Sequence, residues 1–143
     1  MQAQILTPAA VLVLWSLVML FWLGFTRLPA LKQMGGLGTA RPGGRGQDLE
    51  GVIPAEINWK SHNYTHLMEQ PTLFYATVAI LAIMGPGSLD VALAWAYVVI
   101  RIIHSVWQAT VNRLPVRFSL FLLSSLCLIV LAVRALGATL EHG

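Results

Sequence analysis

The sequence predicts an all-α integral membrane protein, a four-helix bundle built as a single domain. Three observations carry this prediction. Of the 143 residues, 57% are hydrophobic and only 10% are charged, whereas soluble domains carry about 25% charged residues. Four apolar windows, 5–25, 59–84, 89–110 and 118–136, approach the ~20 residues needed to cross about 30 Å of hydrocarbon. Little chain remains outside them, so residues 1–143 form one unit.

The first window lacks the basic leader and short apolar stretch of a cleavable signal peptide, so it reads as a retained helix. The connection after it, about 26–58, is the long one. Its stretch Gly35-Gly36-Leu37-Gly38 through Arg41-Pro42-Gly43-Gly44-Arg45-Gly46 is glycine-rich and basic, a composition that favours a mobile segment. No GxxxxGK[ST] spacing occurs in it, which excludes a phosphate-cradling P-loop. The second and third windows qualify as spans only if their polar residues face protein or water. Pro71 interrupts the second, where a proline frees a backbone carbonyl and permits a kink. The sequon Asn63-Tyr64-Thr65 falls at the expected cytoplasmic end of that helix, which excludes glycosylation. Cys127 is the single cysteine, so no intramolecular disulfide forms, and its apolar surroundings in the fourth window imply packing.

Lys and Arg placement sets the orientation. Arg27, Lys32, Arg41, Arg45 and Lys60 lie in or beside the first loop, and Arg113 and Arg117 flank the third. The second loop, Gly85-Pro86-Gly87-Ser88, has no basic residue. Loops one and three are therefore expected in the cytoplasm, with both termini outside. Trp22, Trp59 and Trp95 near window ends fit an interfacial aromatic belt. The net charge of +3 comes without aromatic–basic interleaving in a soluble module, so nucleic acid is not an expected partner.

Helix positions separated by three, four and seven share a face. His62, His66 and Glu69 form one polar stripe on the second helix; Arg101, His104 and Gln108 form another on the third. Counted along antiparallel helices at about 1.5 Å per residue, Glu69 matches Arg101 in depth, His66 matches His104, and His62 approaches Gln108. The expected arrangement is a Glu69–Arg101 ion pair capping a polar cleft that opens to the cytoplasm, with Arg113 and Arg117 at its mouth. Two other readings stand beside it. The ion pair and histidines could serve register alone. Alternatively His62, His66 and His104 could ligate a metal or haem, since His62 and His66 have suitable spacing, although no cysteine joins them and Arg101 would oppose a cation. No metal is the expectation adopted.

Taken in order, these motifs resemble the MAPEG family, the membrane-associated proteins of eicosanoid and glutathione metabolism, over nearly the whole chain. The family's Asn-x-x-Glu followed by proline is matched by His66-Leu67-Met68-Glu69 with Pro71. Its Arg-x-x-His appears as Arg101-Ile102-Ile103-His104, and its Arg-x-Pro-x-Arg as Arg113-Leu114-Pro115-Val116-Arg117. The resemblance implies a homotrimer with glutathione, as co-substrate, bound between subunits. It implies a transferase or peroxidase acting on apolar electrophiles that partition from the bilayer. Glu69, Arg101, His104, Arg113 and Arg117, with His66 and Gln108, would bind glutathione, and Arg117 would stabilise its thiolate. Departures are His66 for asparagine, Gln108 where many members have tyrosine, and Phe118 and Phe121 where some have serine or tyrosine. They leave open the alternative of a non-catalytic lipid-binding or accessory subunit of a larger membrane complex. The expected location is the bacterial inner membrane. Reporter fusions after Gly143 and within 43–46 test the orientation: the first should report outside and the second cytoplasm, and a cytoplasmic C-terminus would overturn it.

Overall fold

The computed structural model describes residues 2–33 and 55–142. They form four helices, α1 (Gln2–Gln33), α2 (Ala55–Met84), α3 (Ser88–Thr110) and α4 (Leu114–His142). All four are long and apolar enough to cross a membrane, and there is no strand among the described residues. The all-α, four-helix membrane class is thus the observed one. α1 continues to Gln33 and α2 begins at Ala55, so helix claims both ends of the connection expected over 26–58. The glycine-rich stretch 35–46 lies outside the described residues.

α2 runs without interruption through Pro71. Where water is scarce, losing one backbone hydrogen bond costs less than exposing a whole turn of unpaired groups, so the helix persists. α1 packs most extensively on α2, and α3 on α4, while α2 also touches α3 and α4. α1 contributes Ile5, Leu12 and Met19, seven residues apart on one seam, against Leu67, Phe74 and Val78 of α2 and Tyr97 and Val98 of α3. Leu128, Leu131 and Ala135 close the core from α4. Phe74 and Tyr97 stack with ring centroids 4.4 Å apart.

The turn between α2 and α3 follows from its residues. Gly85 sits at φ 94°, a left-handed conformation that an added Cβ would strain, and its N–H donates to the Leu81 carbonyl at 3.0 Å. Pro86 then prevents the helix from continuing. Gly87 caps α3, its N–H donating to Asp90 Oδ2 at 2.8 Å. Asp90 is buried and also receives Arg134 of α4, through Nε to Oδ1 and Nη2 to Oδ2. This is the ion pair found among the described residues, and it joins α3 to α4 at the end of the bundle away from loop three.

The burial of the two partners is unequal, with side-chain exposures of 39% for Arg134 and 4% for Asp90. Removing the arginine strands a buried carboxylate, whereas removing the carboxylate leaves an arginine that can reach solvent. Thermal unfolding in detergent should therefore show Arg134→Leu costing about 2–3 kcal/mol and Asp90→Asn about 1 kcal/mol. A larger loss for Asp90→Asn would mean the carboxylate acts mainly as the α3 cap.

Candidate ligand cleft between α2, α3 and α4

A cleft of about 330 Å³ opens beside α2, α3 and α4. His62 and His66 line it from α2, and His104 and Gln108 from α3. α4 supplies Arg117 together with an apolar rim of Leu114, Phe118 and Phe121. The depth matching expected from the sequence is present for the histidines: the His66 and His104 rings lie 5.9 Å apart. His104 also leans on Phe121, with centroids 6.4 Å apart.

Arg101 lies behind this lining. It is 1% exposed, its guanidinium carbon is 6.0 Å from the Phe121 ring centroid, and its Nη2 donates to the His66 carbonyl oxygen at 3.3 Å. Its Nε and Nη1 have no hydrogen-bond partner, and neither does Oε1 of the buried Gln108. A buried donor or acceptor left unpaired costs about 1–3 kcal/mol. Two of these atoms lie behind the cleft and the third belongs to Gln108 in its lining.

The expected Glu69–Arg101 ion pair does not form within the chain: Glu69 is exposed on the outer side of α2. Helical geometry explains the miss. A residue three positions on from His66 falls about 60° short of a full turn, while the fourth overshoots by about 40°. The inward position therefore goes to Gln70. Its Nε2 donates to Ser125 Oγ at 2.8 Å, and its Oε1 accepts from Tyr97 OH at 3.1 Å. Arg113 is exposed in the turn, outside the cleft lining, and its carbonyl accepts from Trp107 Nε1 at 3.1 Å.

A second polar chain lies on the other side of Arg101. Trp15 Nε1 donates to Ser105 Oγ at 3.0 Å, and Ser105 donates to Asn63 Oδ1 at 2.6 Å, linking α1, α3 and α2. Tyr97, Arg101 and Ser105 are four apart on α3 and all buried, so one network sits a helical turn to each side of the arginine. Gln70, Tyr97, Ser125, Ser105 and Trp15 were not singled out from the sequence, and Asn63 was considered only as a sequon. For Gln70, Tyr97 and Ser105 the available signal was the spacing of four from His66 and Arg101.

Arg117 is positioned by the turn that precedes it. Asn112 adopts φ 54°, which asparagine tolerates better than most residues, and its N–H donates to the Trp107 carbonyl at 2.7 Å. Its Oδ1 accepts from Arg117 Nη1 at 2.6 Å. No group of three His, Cys, Asp or Glu side chains converges as metal ligands among the described residues, so the metal reading of His62, His66 and His104 has no ligand cluster behind it.

Asn112 thus does two jobs that substitution can separate. Asn112→Gly keeps the left-handed turn and should leave the melting temperature near wild type. Asn112→Ala keeps a Cβ in that conformation without the carboxamide that makes it tolerable, and should cost about 1 kcal/mol. Equal losses from both would assign the residue's value to the Arg117 tether alone.

No curated protein and no solved structure matches the chain. A protein-family comparison does: the MAPEG family model covers residues 5–137, reaching from the first core residue of α1 to the last turns of α4 and spanning every residue of the cleft. The chain belongs to the MAPEG family.

Proposed function

We propose that this protein is a membrane-bound, glutathione-dependent transferase or peroxidase acting on apolar electrophiles; its family includes such enzymes alongside other members. The observation that carries the reading is Arg101, a buried guanidinium with two unpartnered nitrogens behind a cleft that Arg117 also lines. Such donors favour carboxylates and thiolates, which accept charge-assisted, often bidentate hydrogen bonds. Glutathione offers two carboxylates and a thiol. In this reading Arg101 and Arg117 hold its anionic groups, and Arg117 stabilises the thiolate. The unpaired Gln108 Oε1 accepts an N–H of the tripeptide, His66 and His104 form the wall, and Arg113 draws the anion to the mouth.

The homotrimer is what the family resemblance implies, and Glu69 fits it. A carboxylate exposed on a membrane-spanning helix costs roughly 2.5–3.5 kcal/mol at the centre of the bilayer. We therefore place Glu69 against a second copy in a homotrimer, where it completes the cleft by pairing with the ammonium of glutathione or a cation of the neighbour. The apolar rim, with Leu114 61% and Phe118 58% exposed, gives a lipid-dissolved electrophile a route to the sulfur. The bacterial inner membrane, with the cleft toward the cytoplasm where glutathione is abundant, fits the Lys/Arg distribution.

A second reading has its own observation. Gln108, Phe118 and Phe121 leave the cleft lining without any hydroxyl, which favours a non-catalytic lipid-binding or accessory subunit of a larger membrane complex. Calorimetric titration of glutathione into the detergent-purified protein decides between them together with a turnover assay. Binding at millimolar glutathione or below is expected, weakened tenfold to a hundredfold in Arg117→Ala, since a charge-assisted contact contributes about 1.5–3 kcal/mol. Binding without turnover of electrophiles or hydroperoxides supports the accessory role. No binding at millimolar concentration removes the glutathione reading.

A further inference from the structure

Of the side chains that line the cleft, only the imidazoles can take up a proton. Arginine stays charged at any working pH, and glutamine, leucine and phenylalanine have no basic site. The lining contains no carboxylate, thiol or hydroxyl. Imidazole is also the side chain that is ordinarily neutral, and so able to accept, near pH 7. Any acid that ionises inside this cleft without losing its proton to bulk water must give it to a histidine.

The three histidines are not equivalent. His104 is 2% exposed, leans on Phe121, and sits on α3 one turn from Arg101. His62 stands a turn nearer the mouth. His66 is half-buried at the cleft wall, and its own carbonyl anchors Arg101 Nη2. The charged and titratable groups in electrostatic reach of it are Glu69 and His62 on α2, Arg101 on α3 and Arg117 on α4, with the His104 ring beside it. Glu69, three residues along the same helix, is the single anion of that set and opposes the three basic neighbours. Of the three histidines only His66 has that carboxylate at the i,i+3 spacing of helix neighbours, His62 being seven residues from it and His104 on another helix.

We infer that His66 is the general base of the cleft: it takes the proton of the bound thiol, with Glu69, three residues along the same helix, offsetting the charge of the resulting imidazolium. The inference rests on the glutathione reading of the same site. In the step, the S–H bond breaks, its electron pair stays on sulfur beside Arg117, and the proton forms an N–H bond on the His66 ring. Attack on an electrophile then forms S–C and releases a leaving group, which recovers the proton from His66. The site in this way ionises a thiol without the hydroxyl donors that other members place at Gln108 and Phe121.

The test counts protons. Glutathione is titrated to saturation into wild type and His66→Asn in buffers of differing ionisation enthalpy, with ultraviolet thiolate absorption read in parallel. S-methylglutathione serves as a control ligand that has no thiol proton. Wild type should show bound thiolate with no proton released to buffer. Whatever its affinity, His66→Asn at saturation with glutathione should either lose the thiolate signal or release close to one proton per glutathione. Glu69→Gln should shift the thiolate signal in the same direction by a smaller amount. A wild type that releases a full proton, or a His66→Asn protein identical to wild type in both readouts, overturns the assignment while leaving glutathione binding intact. Failure of wild type to bind either ligand overturns the glutathione reading and this inference with it.

Discussion

The arrangement turns on keeping one guanidinium inside a bundle of membrane-spanning helices. Arg101 cannot shed its charge, and an arginine at the helix centre costs roughly 2.5–3.5 kcal/mol on insertion scales. The chain offsets this only in part. Nη2 reaches the His66 carbonyl, the Phe121 ring covers one side of the guanidinium, and Nε and Nη1 remain unpaired. Half-satisfied buried polar groups are costly, and Arg101 carries a fixed charge besides. In the glutathione reading, the unpaired nitrogens are the donors left for the anion.

That constraint explains why polar contacts, more than apolar ones, fix how the helices meet. Apolar packing between helices gains little in lipid, which is as apolar as leucine. The Tyr97–Gln70–Ser125 and Trp15–Ser105–Asn63 chains tie α3 to every other helix, one turn to either side of Arg101. Such hydrogen bonds are worth about 0.6 kcal/mol each on average, so several are needed, and each specifies a register that aliphatic side chains would leave free to slide. The Asp90–Arg134 pair does the same at the far end.

The fold was legible because length and hydrophobicity are averaged over whole windows: each of the four helices could lose several residues of signal and still be recognised. The cleft was legible where helical spacing is forgiving. His62, His66, His104 and Gln108 were placed together from periodicity and depth alone, and they do line one cavity. Glu69 was misassigned to the interior because a spacing of three was treated as equivalent to one of four. The difference of about 100° decides whether a side chain meets Arg101 or looks out of the bundle. Gln70 was passed over for the converse reason, as an uncharged residue between a glutamate and a proline. Asn112 could not be foreseen at all, since a left-handed turn that also tethers Arg117 depends on the angle between α3 and α4.

The same positions give the cleft its chemical character. Where the family resemblance implies hydroxyls, which donate to a developing anion, this chain offers Gln108, Phe118 and Phe121. Where it implies an asparagine, the chain offers His66. The exchange removes donors and adds a proton acceptor, while Arg101 and Arg117 keep the positive field. A thiol can be activated along either route, by stabilising the thiolate or by receiving its proton. The phenylalanines that replace the hydroxyls also extend the apolar rim of the cavity, which is the side an electrophile dissolved in lipid must cross. On the glutathione reading, fewer hydroxyl donors and a greasier entrance thus arise in part from the same two side chains. Under the proposed function, such a site would gain access to apolar partners while depending more heavily on its imidazoles and on a carboxylate near them, such as Glu69.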